Sequence, residues 1–139
     1  MFLDASVIVA ILNGEPGYEE IVRRIEDNAD NIYTSPMARF EAVISLARSR
    51  SGVHTTPTDM DITKIESQVN AFLSEAKVSD IMISSSIGDG AIRAAATYGR
   101  AVGHPAKLNF GDCFAYACAK AYRVKLAYKG HDFAETDLA

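Results

Sequence analysis

The sequence predicts a single α/β domain in which a short parallel sheet is flanked by helices on both faces. Three observations lead to this prediction. The 139 residues are the usual size of one globular domain with one core. Short apolar segments alternate with segments of helical periodicity, as they do in proteins with parallel sheets. No repeat, low-complexity stretch or long linker divides residues 1–139.

The first half of the chain contains two predicted strands and three predicted helices. The strands are the short apolar segments 2–3 and 32–34. Helical spacing of apolar residues predicts helices over 7 to about 12, after Gly17, and over 36 to about 50. Glycine and proline separate the first two helices, residues 28–31 turn the chain, and Ser35-Pro36 is a typical helix start. The apolar positions expected to face inward are Ile21, Val22 and Ile25 in the second helix, and Met37, Phe40, Val43, Ile44 and Ala47 in the third.

The second half repeats the alternation after a loop at 51–58. Three more helices are predicted, over 61–76, from a cap at Asp89-Gly90 to Tyr98, and from a cap at Asn109 to about Ala121. The remaining strands are predicted at 81–83 and 124–128. An uninterrupted apolar run such as 81–83 is expected of a strand that is covered on both faces. Methionine and aromatic residues on the helices are interpreted as core.

The composition excludes several classes of protein. A content of 48% hydrophobic and 23% charged residues excludes a disordered chain. No apolar run approaches the roughly 18 residues that span a bilayer, and the first residues do not resemble a signal peptide. Eighteen acids against 14 bases give a net charge of −4, which excludes a nucleic-acid binder of the basic-patch kind. Cys113 and Cys118, about 140° apart around one predicted helix, are interpreted as buried reduced thiols of a cytoplasmic protein.

Four acids interrupt the apolar pattern, and three of them lie at or near the predicted carboxyl ends of the strands, where function collects in sheets of this type. Asp4 follows the first strand, Asp132 follows the last, and Asp112 lies at the start of the last helix. Glu41 lies inside a helix, on a strip of small residues that indicates close approach to another element. The strip consists of Ala38, Ala42 and Ser45.

Each acid also has a plain structural explanation. Asp4 can cap the helix that follows it, and Asp112 can close a capping box at the start of its own helix. Glu41 can pair with Arg48 or a nearby lysine, and Asp132 can be an ordinary turn acid. Capping and metal binding are compatible for one carboxylate, because each of its two oxygens can serve one of them.

Taken together, the four acids favour a metal site. Carboxylates gathered at one end of a small sheet repel one another unless cations hold them. Oxygen ligands without a histidine or cysteine cluster favour Mg²⁺ or Mn²⁺ over Zn²⁺. One or two such ions on a phosphodiester activate water and stabilise the leaving oxygen. If the four acids bind metal, the other 14 acids balance the 14 bases, which permits a polyanionic substrate.

Other polar residues are weaker candidates. His54, His104 and His131 lack the spacing of a zinc site. The serine run 84–86 lacks the glycines of a hydrolase nucleophile elbow and is interpreted as a turn at a strand end. Gly88-Asp89-Gly90 is not a phosphate-binding loop, because no Gly-Lys-Ser/Thr follows it.

The segments that carry the acids resemble the motifs of the PIN-domain family, and within it those of the VapC toxins of toxin–antitoxin systems. The opening Met-Phe-Leu-Asp-Ala-Ser is similar to the family's first strand and catalytic aspartate. Thr-Ser-Pro at 34–36 with Phe-Glu-Ala at 40–42 resembles its second acidic motif. Leu-Asn-Phe-Gly-Asp-Cys-Phe-Ala-Tyr-Ala at 108–117 is the closest match, and 129–133 with 136–138 resembles the closing motif. The segment 52–79 resembles the family in its helical character but in no motif.

This resemblance implies one PIN domain over 1–139 and a magnesium-dependent endoribonuclease, with Mn²⁺ as a substitute, that cleaves RNA phosphodiesters with a metal-activated water. By position, the implied catalytic and metal-binding residues are Asp4, Glu41, Asp112 and Asp132. Ser6 and His131 are assigned to substrate binding. The implied partners are RNA, a cognate antitoxin and a second copy of the chain. No membrane partner is implied, and DNA is contacted only through the antitoxin.

Two other functions stay open. A catalytically silent member of the same fold would act with a DNA-binding antitoxin in transcriptional autoregulation. A phosphoacceptor or a hydrolase of the haloacid dehalogenase type would use Asp4 as its nucleophile. Those hydrolases need Asp-x-Asp, however, and this sequence has Asp-Ala-Ser at 4–6.

Two apolar helix stripes suggest a partner interface, with burial in the protein's own core as the alternative. A groove beside such helices accepts an amphipathic segment of another chain, and the resemblance implies that an antitoxin tail lies there. An arginine of that tail would pair with the acidic carboxylates in competition with metal. The stripes consist of Val7, Ile8, Ile11 and Leu12 in the first helix, and of Ile62, Ile65, Val69, Phe72 and Leu73 in the helix at 61–76.

Overall fold

A four-stranded parallel sheet forms the centre of the computed structural model, which describes residues 1–27 and 31–139. The strands are β1 (Phe2–Leu3), β2 (Tyr33–Thr34), β3 (Ser79–Asp80) and β4 (Leu126–Ala127). They are arranged in the order β3-β2-β1-β4, and every pairing is parallel. The predicted α/β class is therefore confirmed. Of the predicted turn at 28–31, residues 28–30 lie outside the described part.

Six α-helices lie in the described residues, and the chain passes from strand to helix as predicted. They are α1 (Ala5–Asn13), α2 (Tyr18–Glu26), α3 (Pro36–Arg50), α4 (Asp59–Glu75), α5 (Ser85–Tyr98) and α6 (Phe110–Tyr122). A short 3₁₀ helix at Arg100–Val102 follows α5. None of the described helices is long and apolar enough to cross a bilayer.

The sheet is covered on both faces, because successive side chains of a strand point to opposite sides. Phe2 points into the larger core cluster, together with residues of α3, α4, α5 and α6. Leu3 points into a smaller cluster that Val7, Ile25 and Ile32 complete. Both cysteines are free and buried, as predicted.

The third strand is not where the sequence predicted it. The predicted strand was the apolar run 81–83, whereas β3 consists of the exposed residues Ser79 and Asp80. β3 is an edge strand, so its side chains need no apolar cover, and the apolar run follows it. Ile81 is buried there, but Met82 is 83% exposed.

The start of α5 also differs from the prediction. The helix begins at Ser85, four residues before the predicted cap at Asp89-Gly90. Ser84 is the cap, because its hydroxyl accepts a hydrogen bond from the Ile87 amide at 3.3 Å. The serine run 84–86 is thus a helix start rather than a turn, and tertiary packing outweighs the low helix propensity of the two glycines inside the helix.

The buried face of α3 is rotated from the predicted one. Phe40, which was expected to face inward, is 65% exposed, and Met37 and Ile44 are only partly buried. The interpretation of methionine and aromatic residues as core is also wrong for Met60 and Phe110, which are exposed. Small residues let α3 pack closely against its neighbours, so they occupy the inner face in place of larger ones. The buried residues of α3 are Ala38, Ala42, Val43, Leu46 and Ala47.

The two apolar stripes belong to the protein's own core. In α1, Val7 and Ile8 are fully buried, and in α4 the buried residues are Ile65, Val69 and Leu73. The other stripe residues are half-buried and pack against the same clusters. Five of the nine stripe residues are therefore core, which favours the alternative of burial in the protein's own core, and the partner groove beside the half-buried ones stays a prediction.

Candidate active site

The four predicted acids line one cavity of about 790 Å³ at the carboxyl edge of the sheet. Asp4 follows β1 directly, and Asp132 follows β4. Glu41 enters from α3 and Asp112 from the first turn of α6. Parallel strands bring the loops after β1 and β4 to the same edge, and the two helices approach that edge from the side.

Asp4 is a buried helix cap. Its Oδ2 accepts hydrogen bonds from the Ser6 amide at 3.0 Å and the Ser6 hydroxyl at 2.5 Å. The Ser6 hydroxyl oxygen in turn accepts a hydrogen bond from the Lys129 amide at 3.0 Å, just beyond β4. Burial raises the pKa of Asp4 despite the hydrogen bonds from Ser6 and Ala5, and the charge of Asp132 raises it further. Asp4 thus both caps α1 and lines the acidic cavity.

Asp112 is held in the same way at the start of α6. Its Oδ2 accepts from the Asn109 amide at 2.8 Å, and the Asn109 side chain accepts from the Asp112 amide at 3.0 Å, which completes the predicted capping box. Burial raises the pKa of Asp112 to about 6. The charges of Asp4 and Asp132 add to this shift, whereas the Asn109 hydrogen bond and the charge of Arg100 oppose it.

Glu41 lies against the backbone of α6. A Cβ atom built on Gly111 would overlap the Glu41 carboxylate, so this approach requires glycine at 111. Burial raises the pKa of Glu41, and the charges of Asp4 and Asp112 raise it further. The alternative of an ion pair with Arg48 does not occur within the described residues, whose ion pairs lie elsewhere.

Asp132 is exposed and forms the open side of the cavity, in the turn after Gly130. Its charge acts on both Asp4 and Asp112. Of the two residues assigned to substrate binding, Ser6 lines the cavity and orients Asp4, whereas His131 is exposed and lies outside the cavity lining.

The cavity contains residues that were not predicted to belong to the site. Phe40 and Arg48 line it from α3, Lys129 lines it after β4, and Glu15 lines it after α1. The signal for the first two was present in the sequence, because 40, 44 and 48 are four residues apart and share one side of a helix with Glu41.

The donor set fits a hydrated divalent cation. None of the ion pairs in the described residues includes any of the four acids. Burial raises the pKa values of Asp4, Glu41 and Asp112, and the charges of neighbouring acids raise each of them further. In the described residues, no group of three or more acid, histidine or cysteine side chains is arranged to hold a metal ion directly. Mg²⁺ keeps several waters and takes one or two direct carboxylate ligands, so an open cavity of acids suits it.

The metal-free protein is expected to lose stability as the pH rises from 5 to 8. The folded-state pKa of Asp112, about 6, exceeds its ordinary value of 3.8. The stabilisation that protonated Asp112 gives the folded state is therefore fully present below about pH 4 and is lost as the pH rises through about 6. The raised pKa values of Asp4 and Glu41 act in the same direction. We expect a decrease on the order of 2 kcal/mol, measured by urea denaturation in EDTA. Unchanged stability across this range would contradict the burial of these acids.

Gly111→Ala is expected to destabilise the protein by about 1–3 kcal/mol, because the added methyl group overlaps the Glu41 carboxylate. Gly88→Ala in α5 is the matched control, since a Cβ there has nothing within 4 Å and alanine gains up to about 1 kcal/mol of helix propensity. Thermal denaturation in EDTA compares the two. Adding Glu41→Ala to Gly111→Ala should restore stability, and failure of this rescue would show that the contact is not the cause.

Comparison with known proteins adds to this geometry. The model of the PIN domain family matches residues 1–138. The chain is 46% identical over 139 residues to a VapC ribonuclease of Rhizobium meliloti, a match that covers 99% of this chain and 98% of the relative. It is 32% identical to a VapC ribonuclease of Mycobacterium bovis, over 100% of this chain and 96% of the relative. It is also 32% identical to a ribonuclease VapC of Mycolicibacterium smegmatis, over 100% of this chain and 98% of the relative.

Proposed function

This chain belongs to the PIN-domain family, and from that premise we propose that it is a metal-dependent endoribonuclease, the VapC toxin of a toxin–antitoxin pair. The observation that carries the proposal is the cavity in which the four predicted carboxylates gather with that of Glu15, none of them in an ion pair with the described residues. The names of its relatives support RNA as the substrate.

The chain's own residues prepare the site for phosphodiester hydrolysis. Ser6 and the Asn109 amide hold Asp4 and Asp112 in fixed orientations, so these carboxylates need little rearrangement when a cation binds. Glu41 and Asp132 add charge from the other two sides. When bound, Mg²⁺, or Mn²⁺ in its place, supplies a Lewis acid that activates water and stabilises the leaving oxygen. The Ser6 hydroxyl is engaged with Asp4 and Lys129, so we assign it to positioning, and no covalent enzyme intermediate is required.

The proposal is tested by incubating the purified protein with RNA and Mg²⁺ and analysing the ends of the products. Attack by water with departure of the 3′ oxygen leaves a 5′ phosphate and a 3′ hydroxyl. Products with a 2′,3′-cyclic phosphate would instead indicate attack by the RNA's own 2′ hydroxyl. A protein that cleaves no RNA and only represses transcription with its antitoxin would be the silent family member, which the four retained acids argue against.

The proposed partners are an antitoxin that blocks the acidic cavity and a second copy of the chain, with the protein acting in the cytoplasm. DNA would be contacted only through the antitoxin. We expect an arginine of the antitoxin to enter the cavity, because a planar guanidinium forms bidentate hydrogen bonds with a carboxylate and would neutralise the acids in place of metal. Such a segment competes with Mg²⁺, so rising Mg²⁺ should weaken antitoxin binding measured by calorimetry.

Self-association is expected to give twice the chain mass in light scattering. The groove between α5 and α6 is the surface we assign to it, because Ile92 and Phe110 there are 70% and 73% exposed and burying them favours association. Ile92→Glu should shift the mass to that of one chain. Met82→Glu is the control, an exposed apolar residue outside that groove. A wild-type protein that stays a monomer at all concentrations would refute the homodimer.

A further inference from the structure

One side of α3 presents three residues to the acidic cavity at four-residue intervals. Phe40, Ile44 and Arg48 all line the cavity that holds the four carboxylates. Glu41 lies next to the first of them, so the same helix carries an acid of the site and a stripe that leads away from it. From Glu41 to Arg48 the stripe extends about 10 Å along the helix axis.

Phe40 lies outside the buried face of α3 and is not part of the core. It is 65% exposed, although it sits within a helix whose opposite face is fully buried. Among the residues that line the cavity it is the only aromatic one. The exposed ring face is a flat apolar surface on which a planar group such as a nucleobase can stack.

Arg48 is exposed and has no ion pair or hydrogen bond with the described residues, in contrast to the other arginines of α3. Arg39 pairs with Asp80 at 3.2 Å. Arg50 donates to the Leu12 carbonyl at 2.7 Å and to the side chains of Asn13 and Gln68. The guanidinium of Arg48 is therefore the one on this helix that remains available to an anion from outside.

We propose that this stripe binds the single-stranded part of the RNA next to the cleaved bond, with Phe40 stacked on a nucleobase and Arg48 on a phosphate farther along the strand. The inference rests on the proposed ribonuclease function and adds its substrate geometry. A base can stack on Phe40 only if its face is not already stacked on neighbouring base pairs within a duplex, so the site selects unpaired RNA. Arg48 also adds positive charge to a cavity whose charged lining residues are mostly acids, which helps a polyanion to approach.

The sequence has no tryptophan, so Phe40→Trp places a single fluorescent reporter at the proposed stacking site. We combine it with Asp112→Asn to prevent cleavage, and titrate with a six-nucleotide oligoadenylate in Mg²⁺. Stacking should quench the fluorescence in a saturable manner, and the same oligonucleotide in a duplex should quench it much less. Met60→Trp in the same background is the control, because Met60 is 78% exposed in the first turn of α4 and outside the cavity lining.

Affinity measurements separate the two contacts. In the Asp112→Asn background, Phe40→Leu should weaken oligonucleotide binding roughly 10-fold, whereas Phe40→Tyr, which keeps the ring, should not. Arg48→Gln should reduce the slope of log affinity against log salt by about 0.7, the contribution of one phosphate contact on a single strand. Arg48→Lys should keep the slope, and Arg39→Gln should leave it unchanged.

The outcomes distinguish this inference from the proposed function. If the wild-type protein cleaves RNA while Phe40→Trp is not quenched and Arg48→Gln keeps the wild-type salt slope, the stacking site is wrong and the ribonuclease stands. If the wild-type protein neither binds nor cleaves single-stranded RNA, the proposed function itself fails. If the duplex quenches Phe40→Trp as strongly as the single strand, or only the antitoxin quenches it, the stripe is not a site for unpaired RNA.

Discussion

Asp112→Asn is expected to reduce RNA cleavage at least about 1,000-fold while raising the melting temperature of the metal-free protein. The loss of activity follows from removing a carboxylate that we propose as a metal ligand. A bound cation contributes several kcal/mol of transition-state stabilisation, and each 1.36 kcal/mol corresponds to a factor of 10 in rate.

The gain in stability follows from the electrostatics of the empty cavity. Burial and the charges of Asp4 and Asp132 raise the pKa of Asp112 to about 6, so its ionised form is unfavourable in the folded state at pH 7.5. The amide keeps an oxygen that accepts from the Asn109 amide, so the cap of α6 survives. We expect a gain of about 1–2 kcal/mol, which corresponds to roughly 3–8 °C for a domain of this size.

Asp61→Asn is the matched control for this prediction. Asp61 closes the capping box of α4 as Asp112 closes that of α6, but it is exposed and is not among the residues that line the acidic cavity. Hydrogen bonds from the Thr58 amide and hydroxyl lower the pKa of Asp61, so its charge stabilises the folded state. Its amide variant should therefore lower the melting temperature and leave cleavage unchanged. If both variants lower the melting temperature, Asp112 is not destabilised by its surroundings in the cavity. If Asp112→Asn keeps its activity, Asp112 is not a required metal ligand.

Removal of divalent cations is expected to abolish cleavage, and addition of Mg²⁺ to restore it. Mg²⁺ should also stabilise the wild-type protein, because the proposed metal site exists in the folded cavity and not in the unfolded chain. At 100 times its dissociation constant the stabilisation is about 2.7 kcal/mol, or roughly 10 °C in melting temperature. Cleavage in EDTA at the wild-type rate would rule out the metal-dependent mechanism.

The stabilisation by Mg²⁺ is expected to depend on pH. Protons compete with the cation for Asp4, Glu41 and Asp112, whose pKa values are all raised. Affinity for Mg²⁺ should therefore increase between pH 5.5 and 7.5. Asp112→Asn should both weaken the binding and flatten its pH dependence. Asp61→Asn should do neither, which separates the cavity from the rest of the acidic surface.

The sequence by itself determined the features that depend on neighbouring residues. The caps at Asp4, Ser35 and Asn109 were predictable, because a short polar side chain beside the first turn of a helix satisfies its free amides. The alternation of short strands and helices required a parallel sheet, and the sheet required that Asp4 and Asp132 share one edge. The four candidate acids followed from that topology and from their resemblance to a family's motifs.

Only the tertiary structure decided which faces meet. The exposure of Phe40, the close approach of Glu41 to Gly111 and the burial of both apolar stripes depend on packing between helices that are far apart in the chain. The position of β3 depended on backbone hydrogen bonds and not on side chains: the Ser79 amide donates to the Ile32 carbonyl at 2.9 Å, and the Ile81 amide donates to the Thr34 carbonyl at 2.8 Å. Helical periodicity shows that an apolar face exists, but the rotation of that face is set by the volume of the partner against which it packs.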